Sequence, residues 1–395
     1  MRHSPLEVFG AFAKLGVTSF GGPIAHLGYF RDEFVHRRRW LSEVEYADLV
    51  ALAQFLPGPA SSQVGFALGL MRAGLVGALA AFVAFTLPSA VLMVAVATGA
   101  SILGGPVATG AIAGLKLVAV AVVAQAVWGM ARSLTPDARR ATIALAAALL
   151  ALLVTGTVGQ LGAIALGAVA GLLWLRALPP TASASTLSFP VRRATGVACL
   201  VLLIALLVVA PIAAAVFGGG AALFDAFARS GAFVFGGGHV VLPLLDAAVV
   251  QPGWVSPDAF LTGYGAAQAM PGPLFTVAAY LGAVASVGPG GIAGAAIATA
   301  GIFLPGFLVL VGVLPFWNRM RRHRLADPVL RGANAAVVGI LGAALYSPVF
   351  TTAVTDARSF GLALVCFVLL VAWRCPPWIV VLVGAAGGVG LALWV

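Results

Sequence analysis

Phe20-Gly21-Gly22-Pro23-Ile24-Ala25-His26 and, further on, Gln54-Phe55-Leu56-Pro57-Gly58-Pro59 interrupt two long apolar stretches, residues 6–30 and 44–72, near their middles. Paired glycines and prolines break helices, because glycine favours non-helical dihedrals and proline lacks the N–H that a helix needs. In lipid a broken helix leaves N–H and C=O groups without partners, which is tolerated only inside protein or beside a water-filled cavity. The two motifs therefore read as the tips of broken or re-entrant helices.

The same tokens return in the same order. Phe9-x-Ala11-Phe12-Ala13-Lys14 matches Phe224-x-Ala226-Phe227-Ala228-Arg229, and Phe20-Gly21-Gly22 matches Phe235-Gly236-Gly237. After one deleted residue, Trp40-x-Ser42 matches Trp254-x-Ser256. Gln54-x-x-Pro57-Gly58-Pro59 then matches Gln268-x-x-Pro271-Gly272-Pro273, and Leu87-Pro88 falls near Leu304-Pro305. Residues 9–100 are thus repeated in 224–315.

Around this repeat the composition is that of a membrane protein. Of 395 residues, 62% are hydrophobic and 9% charged, with a mean hydropathy of +1.08. Soluble domains run near 45–50% apolar and about 25% charged. A secreted disulfide scaffold, a nucleic-acid module and an ordinary cytosolic enzyme are excluded. Cys199, Cys366 and Cys375 show no metal-ligand spacing and read as buried hydrophobes. No signal-peptide pattern opens the sequence. Apolar runs of about 20 residues give about thirteen segments. They group into an N-terminal half (1–177), a polar connection (178–193), an unpaired span (194–220) and a C-terminal half (221–395). The fold class is an all-α polytopic membrane protein of two homologous halves.

Charge orients the halves. The net charge of +10 comes mostly from short connections: Arg31, Arg37, Arg38 and Arg39; Arg132, Arg139 and Arg140; Arg176, Arg192 and Arg193; Arg319, Arg321, Arg322, Arg324 and Arg331. Positive connections stay in the cytoplasm. The connection 246–258, equivalent to 31–39, carries Asp246 and Asp258 but no Lys or Arg. It should face outward, which makes the repeat inverted, with 194–217 supplying the flip. Inverted repeats with discontinuous helices are common among secondary transporters.

The candidate substrate-binding residues follow from the breaks and from charge at membrane depth. The Gly21-Gly22, Pro57-Gly58-Pro59, Gly236-Gly237 and Pro271-Gly272-Pro273 breaks free helix N-termini that suit an oxyanion. Lys14 and Arg229 are repeat partners just ahead of their Gly-Gly breaks. Lys116 lies inside an apolar segment, with Arg331 as its approximate partner. Such cations are functional candidates because an unpaired charge in lipid is costly; the alternative is snorkelling or structural pairing. Glu7, Glu45, Asp48 and Asp225 read as counter-ions ahead of proton carriers, with Glu7 sharing a helix face with Lys14 and Asp225 with Arg229. His26 and His239 follow their breaks as candidate proton relays or anion donors, against the commoner structural role. Ser61 adds a neutral donor, and Arg72 is either a gate or an interfacial anchor. The run from Phe30 to Trp40 reads as a cytoplasmic surface helix or turn.

The sequence holds no P-loop, no H-E-x-x-H and no G-x-S-x-G, so neither ATP-driven nor hydrolytic chemistry is indicated. No cofactor is expected, and energy must come from an ion gradient, the membrane potential or a separate subunit. The ordered motifs, from Phe20-Gly21-Gly22-Pro23 through Arg38-Arg39-Trp40-Leu41 to Gln54–Pro59, with their second copy, resemble the chromate ion transporter family over nearly the whole chain. The resemblance implies a two-domain protein of a bacterial or archaeal inner membrane that exports chromate, driven by potential or protons, and confers chromate resistance. Its partners would be chromate or a sulfate-like oxyanion and the lipid bilayer, with proton coupling and a homodimer as candidates. A sulfate or other oxyanion carrier, or a channel or scaffold subunit that needs a partner, are the alternatives.

Overall fold

In a computed structural model the described residues are 4–102, 105–154, 156–175, 189–235, 238–317 and 326–394. They are helical or lie in short connections, with no strand among them. Helix α1 (Pro5–Thr18) opens on a Ser4 cap, whose hydroxyl accepts the Leu6 N–H, and stops at Ser19. Gly21, at φ 99°, turns the chain into α2 (Gly22–Arg31), which continues as a π-helical turn, Asp32–Arg37. Helix α3 (Glu43–Phe55) is started by a reciprocal cap: Ser42 takes the Glu45 N–H, and the Glu45 carboxylate takes the Ser42 N–H. After the break at 56–59, α4 (Ala60–Ile102) reverses at Ala73-Gly74 into two arms. Close approach of Gly69 to Gly77 across the reversal leaves no room for a Cβ.

Helices α5 (Pro106–Leu134), α6 (Ala138–Leu153) and α7 (Gly156–Trp174) complete the first half, and α8 (Arg193–Phe217) follows alone. The second half repeats the opening: α9 (Gly219–Ala232), a 3-10 turn leading into α10 (Val241–Leu245), then a second π-helical turn, Asp246–Val250. Next come α11 (Pro257–Ala269), capped by Ser256, α12 (Val277–Val284) and α13 (Gly291–Val313). The shared Trp-x-Ser token is therefore an N-cap signal. Helices α14 (Ala326–Ala344), α15 (Ala357–Val371) and α16 (Pro377–Leu393) close the chain.

The breaks at 19–21, 56–59 and 270–273 are present among the described residues, and α9 ends ahead of the fourth; at these places the chain doubles back into hairpins whose open ends meet. In the first half Glu7 on α1 faces Arg38, beyond α2, at 3.8 Å, and faces Arg72, at the end of the first arm of α4, at 3.3 Å. In the second half the Ser286 N–H, after α12, donates to the Trp254 carbonyl, before α11, at 2.9 Å.

The halves interlock. Helix α5 packs against α15 and α16 of the other half, whereas its counterpart α14 packs against α6 and α7. Glycine spaced at four makes both contacts possible: Gly110 and Gly114 lie against Gly384 and Gly388, and Gly167 and Gly171 against Gly332. A Cβ at these positions would collide with backbone, so small residues at helical spacing let the helices approach closely in lipid. Five helical stretches among the described residues are long and apolar enough to cross a membrane: 60–99, 106–134, 193–217, 291–316 and 327–353. Only 6% of the most apolar window of α8 is buried, which leaves that unpaired span facing lipid. The protein is a multi-pass membrane protein.

Candidate functional site

The four hairpin tips meet between the halves. The Gly58 N–H donates to the Val234 carbonyl at 2.8 Å, and the Gly272 N–H donates to the Ser19 carbonyl at 2.9 Å. Val234 is the repeat partner of Ser19 and Gly272 that of Gly58, so the two bonds are one interaction made twice about a pseudo-two-fold axis. Pro23 and Gly238, also repeat partners, touch each other: a Cβ on Gly238 would stand 2.8 Å from the proline ring. Both tip glycines have positive φ, +119° at Gly58 and +95° at Gly272. A Cβ would stand 2.9 Å from Gln63 Nε2 and 3.0 Å from Gly306 Cα in the first case. In the second it would stand 2.8 Å from Ser89 Oγ and 3.0 Å from the Phe85 carbonyl oxygen. The N–H groups of Gly58 and Gly272 are therefore occupied in joining the halves, and the breaks serve as a clasp.

Polar side chains surround the clasp. Gln63 Nε2 donates to the Pro57 carbonyl at 2.8 Å and the Gly306 carbonyl at 2.9 Å. Ser19 Oγ, Ser62 Oγ, Gln63 Oε1 and Thr86 Oγ1 are buried without a protein partner. His26 is fully buried, with Nδ1 3.4 Å from Ser61 Oγ and its ring edge-on to Phe85. His239 Nδ1 lies 2.8 Å from the Tyr264 hydroxyl. The two histidines occupy different repeat positions and take different partners. Buried polar atoms without protein partners demand water or a ligand. Helices α2 and α4 start at these tips, so their positive ends point to the same region.

The cations lie at the open ends of the hairpins. In the first half Glu33, almost fully buried, takes Arg38 at 2.6 Å, Arg37 at 2.8 Å and Lys14 at 3.7 Å. Burial pushes its carboxyl up, but the hydrogen bonds from Arg38 and Arg37 and the charge of Lys14 hold it below the usual 4.5. Arg72 and Arg38 lie over the Trp40 ring, at 5.0 and 5.8 Å from its centroid. In the second half Arg229 pairs with the buried Asp225, one turn earlier on α9, as the shared face suggested. Lys116 pairs with the exposed Asp258 at 2.5 Å, at the start of α11, and Arg331 with Asp327 at 2.7 Å.

Of the candidates, the structure gathers Gly21, Gly22, His26, Pro57, Gly58, Pro59, Ser61, His239, Pro271, Gly272 and Pro273 at or beside the tips. Lys14 and Arg72 sit at the first mouth; Arg229 and Lys116 belong to the second half's open end. Gly236 and Gly237 lie outside the described residues. Lys14 does not pair with Glu7, because Glu33 on the returning limb supplies its carboxylate while Glu7 serves Arg38 and Arg72. Glu33, Ser19, Thr86 and Tyr264 were missed as site residues, whereas Ser62 and Gln63 follow Pro59 with Ser61 as further neutral donors. The sequence signal of the missed residues is weak: Ser19, Thr86 and Tyr264 are single polar residues in apolar runs, and Glu33 is hidden in the charged run 31–39.

Two interlocked homologous halves meeting at broken helices form the architecture of many membrane transporters. The chain belongs to the chromate transporter family: the family model matches residues 6–172 and 221–389, once in each half. It is 29% identical to the chromate transport protein of Pseudomonas aeruginosa, over 97% of this chain and 91% of that one. It is 28% identical to the probable chromate transport protein of Synechococcus elongatus, over 85% and 82%. A third relative, the chromate transport protein of Cupriavidus metallidurans, is 27% identical over 92% and 87%. These similarities point to a transporter rather than an enzyme. No solved structure matches the chain.

Proposed function

We propose that this protein is a secondary transporter that exports chromate across the inner membrane of a bacterium or archaeon and so confers chromate resistance. The observation that carries the reading is the doubled tip contact, Gly58 to Val234 and Gly272 to Ser19, which sets a polar, clasped centre between two hairpin mouths. A carrier needs such a centre, reachable from one mouth at a time. The substrate moves from a mouth cation to the tips, where Ser62, Thr86, His26 and the starts of α2 and α4 offer donors and positive dipole ends. The halves, 1–177 and 221–395, are inverted, with the arginine-rich first mouth in the cytoplasm. Charge supports this orientation: the connection 31–39 holds four arginines and 246–258 holds none.

The test is uptake of labelled chromate into everted membrane vesicles containing the protein, under an imposed potential, with and without excess sulfate. Potential-dependent accumulation that survives sulfate is the expected result. Accumulation abolished by sulfate would make it a general oxyanion carrier. No accumulation, in vesicles that hold folded protein, would overturn the reading in favour of another substrate or a subunit that needs a partner.

A further inference from the structure

The repeat places Arg229 where the first half has Lys14, the pair Ala247-Ala248 where it has Glu33, and Trp254 where it has Trp40. In the first half that space is filled by Glu33 and the arginines that hold it. In the second half the carboxylate is replaced by a methyl group, and a cavity of ≈230 Å³ opens, lined by Arg229, Ser230, Phe233, Ala247, Ala248 and Trp254 among others. The first mouth thus keeps its cations on an attached anion. The second keeps a cation beside space for a free one.

The Arg229 guanidinium is partly exposed to this cavity, and its partner Asp225 is buried, with Oδ1 lacking any hydrogen-bond partner. Arginine presents five donors in a planar fork, so it can turn to a second oxygen-rich partner. A buried carboxylate that loses its cation is strongly disfavoured as an anion and is neutralised by a proton. The elements packed against α9 are α8, α10, α13 and the π-helical turn. Among their described residues the titratable side chains are Arg193 and Cys199, in the half of α8 remote from α9, and Asp246 in the turn, which accepts from Gln251. None of these replaces Arg229 as a counter-ion.

We infer that the cavity is an outer site for a tetrahedral dianion of the chromate or sulfate kind, in which Arg229 passes from Asp225 to the oxyanion while Asp225 takes up one proton. The inference rests on the oxyanion-carrier reading above and adds to it a residue pair that links anion to proton. One O–H bond forms and one breaks: a hydronium ion of the bulk solvent gives its proton to the Asp225 carboxylate and is left as water, and the site gains one net negative charge per bound dianion.

The experiment measures binding of sodium sulfate to the purified full chain in lipid nanodiscs, read as the fluorescence that Trp254→Phe removes, with proton uptake followed in weak buffer. Wild type is expected to give a saturable Trp254-dependent change with about one proton taken up per anion. Arg229→Gln should weaken binding about tenfold or more, and Asp225→Asn should bind without proton uptake. Ala247→Leu fills the cavity without touching a charge; it should abolish the signal even if the arginine variant does not fold. A Trp254 signal unchanged in Arg229→Gln and Ala247→Leu, or wild-type binding without proton uptake, would overturn the inference. Parallel vesicle transport separates the two claims. Transport without a Trp254 signal removes this site alone, whereas a Trp254 signal without transport removes the carrier reading alone.

Discussion

The two mouths of this molecule share a backbone plan and differ in chemistry. At the first, Glu7 and Glu33 bind Lys14, Arg37, Arg38 and Arg72 into one network laid on Trp40. At the second, Arg229 and Asp225 stand beside a cavity under Trp254. The π-helical turn recurs in both, as does the capping serine, and the tips exchange identical hydrogen bonds. Duplication has kept what the backbone needs and released what the side chains do. A residue's role therefore does not transfer from one half to the other with its position: Lys14 answers to a carboxylate on the next limb, Arg229 to one on its own helix.

The sharpest way to break the comparison is topological. With the native cysteines replaced, His36→Cys and Val250→Cys, one in each π-helical connection, should label from opposite sides of the membrane in an all-or-none manner. Labelling from one side would make the halves parallel and would remove the proposal that the mouths open to different compartments.

Next in size are the tips. Gly58→Ala and Gly272→Ala each force a left-handed backbone on a Cβ that has no room. Each should cost about 2–5 kcal/mol, from strain together with overpacking, seen as a lower thermal midpoint in detergent. Near-equal losses are expected, because the contacts are equivalent; a neutral result at one glycine would show that the pseudo-symmetry stops at that tip.

The first mouth is tested by Glu33→Gln, which leaves three cations without their buried carboxylate. The loss should be about 1–2 kcal/mol, since the partners are partly solvated. The pH dependence has a definite sign. The carboxyl is held below its usual 4.5, so its contribution is complete above that value and is lost as pH falls through the lower folded value. Wild type should therefore lose stability on acidification below about pH 4.5, and the variant should lose less. Parallel acid profiles would show that the network does not latch the mouth.

The smallest effect belongs to Lys116→Ala. Its partner Asp258 is 67% exposed, and an exposed pair contributes about 0–1 kcal/mol. Stability should hardly move, while transport at low salt should fall a few-fold and recover at high salt, as expected for electrostatic steering. A salt-independent loss would instead put Lys116 in direct contact with substrate.

The membrane class, the repeat and the helix breaks at Gly21-Gly22, Pro57-Gly58-Pro59 and Pro271-Gly272-Pro273 are legible in the chain of residues alone. Each of these is written in local physics: apolar length, glycine and proline chemistry, and arginine in connections. The sequence also marked the Asp225–Arg229 pair, because residues one helical turn apart meet whatever the fold. Tertiary packing alone makes the tip N–H groups of Gly58 and Gly272 join the halves, holds α5 and α14 against each other's terminal helices, and gathers Lys14, Arg37 and Arg38 around Glu33. The π-helical turns belong to that second class too. These contacts join residues far apart in the chain, often across the two halves, and no local spacing encodes which distant carbonyl or carboxylate will arrive. The cavity beside Arg229 is the extreme case. It exists because Ala247 and Ala248 stand where Glu33 fills the first mouth, and a small residue in that place is silent until the surrounding walls are in place.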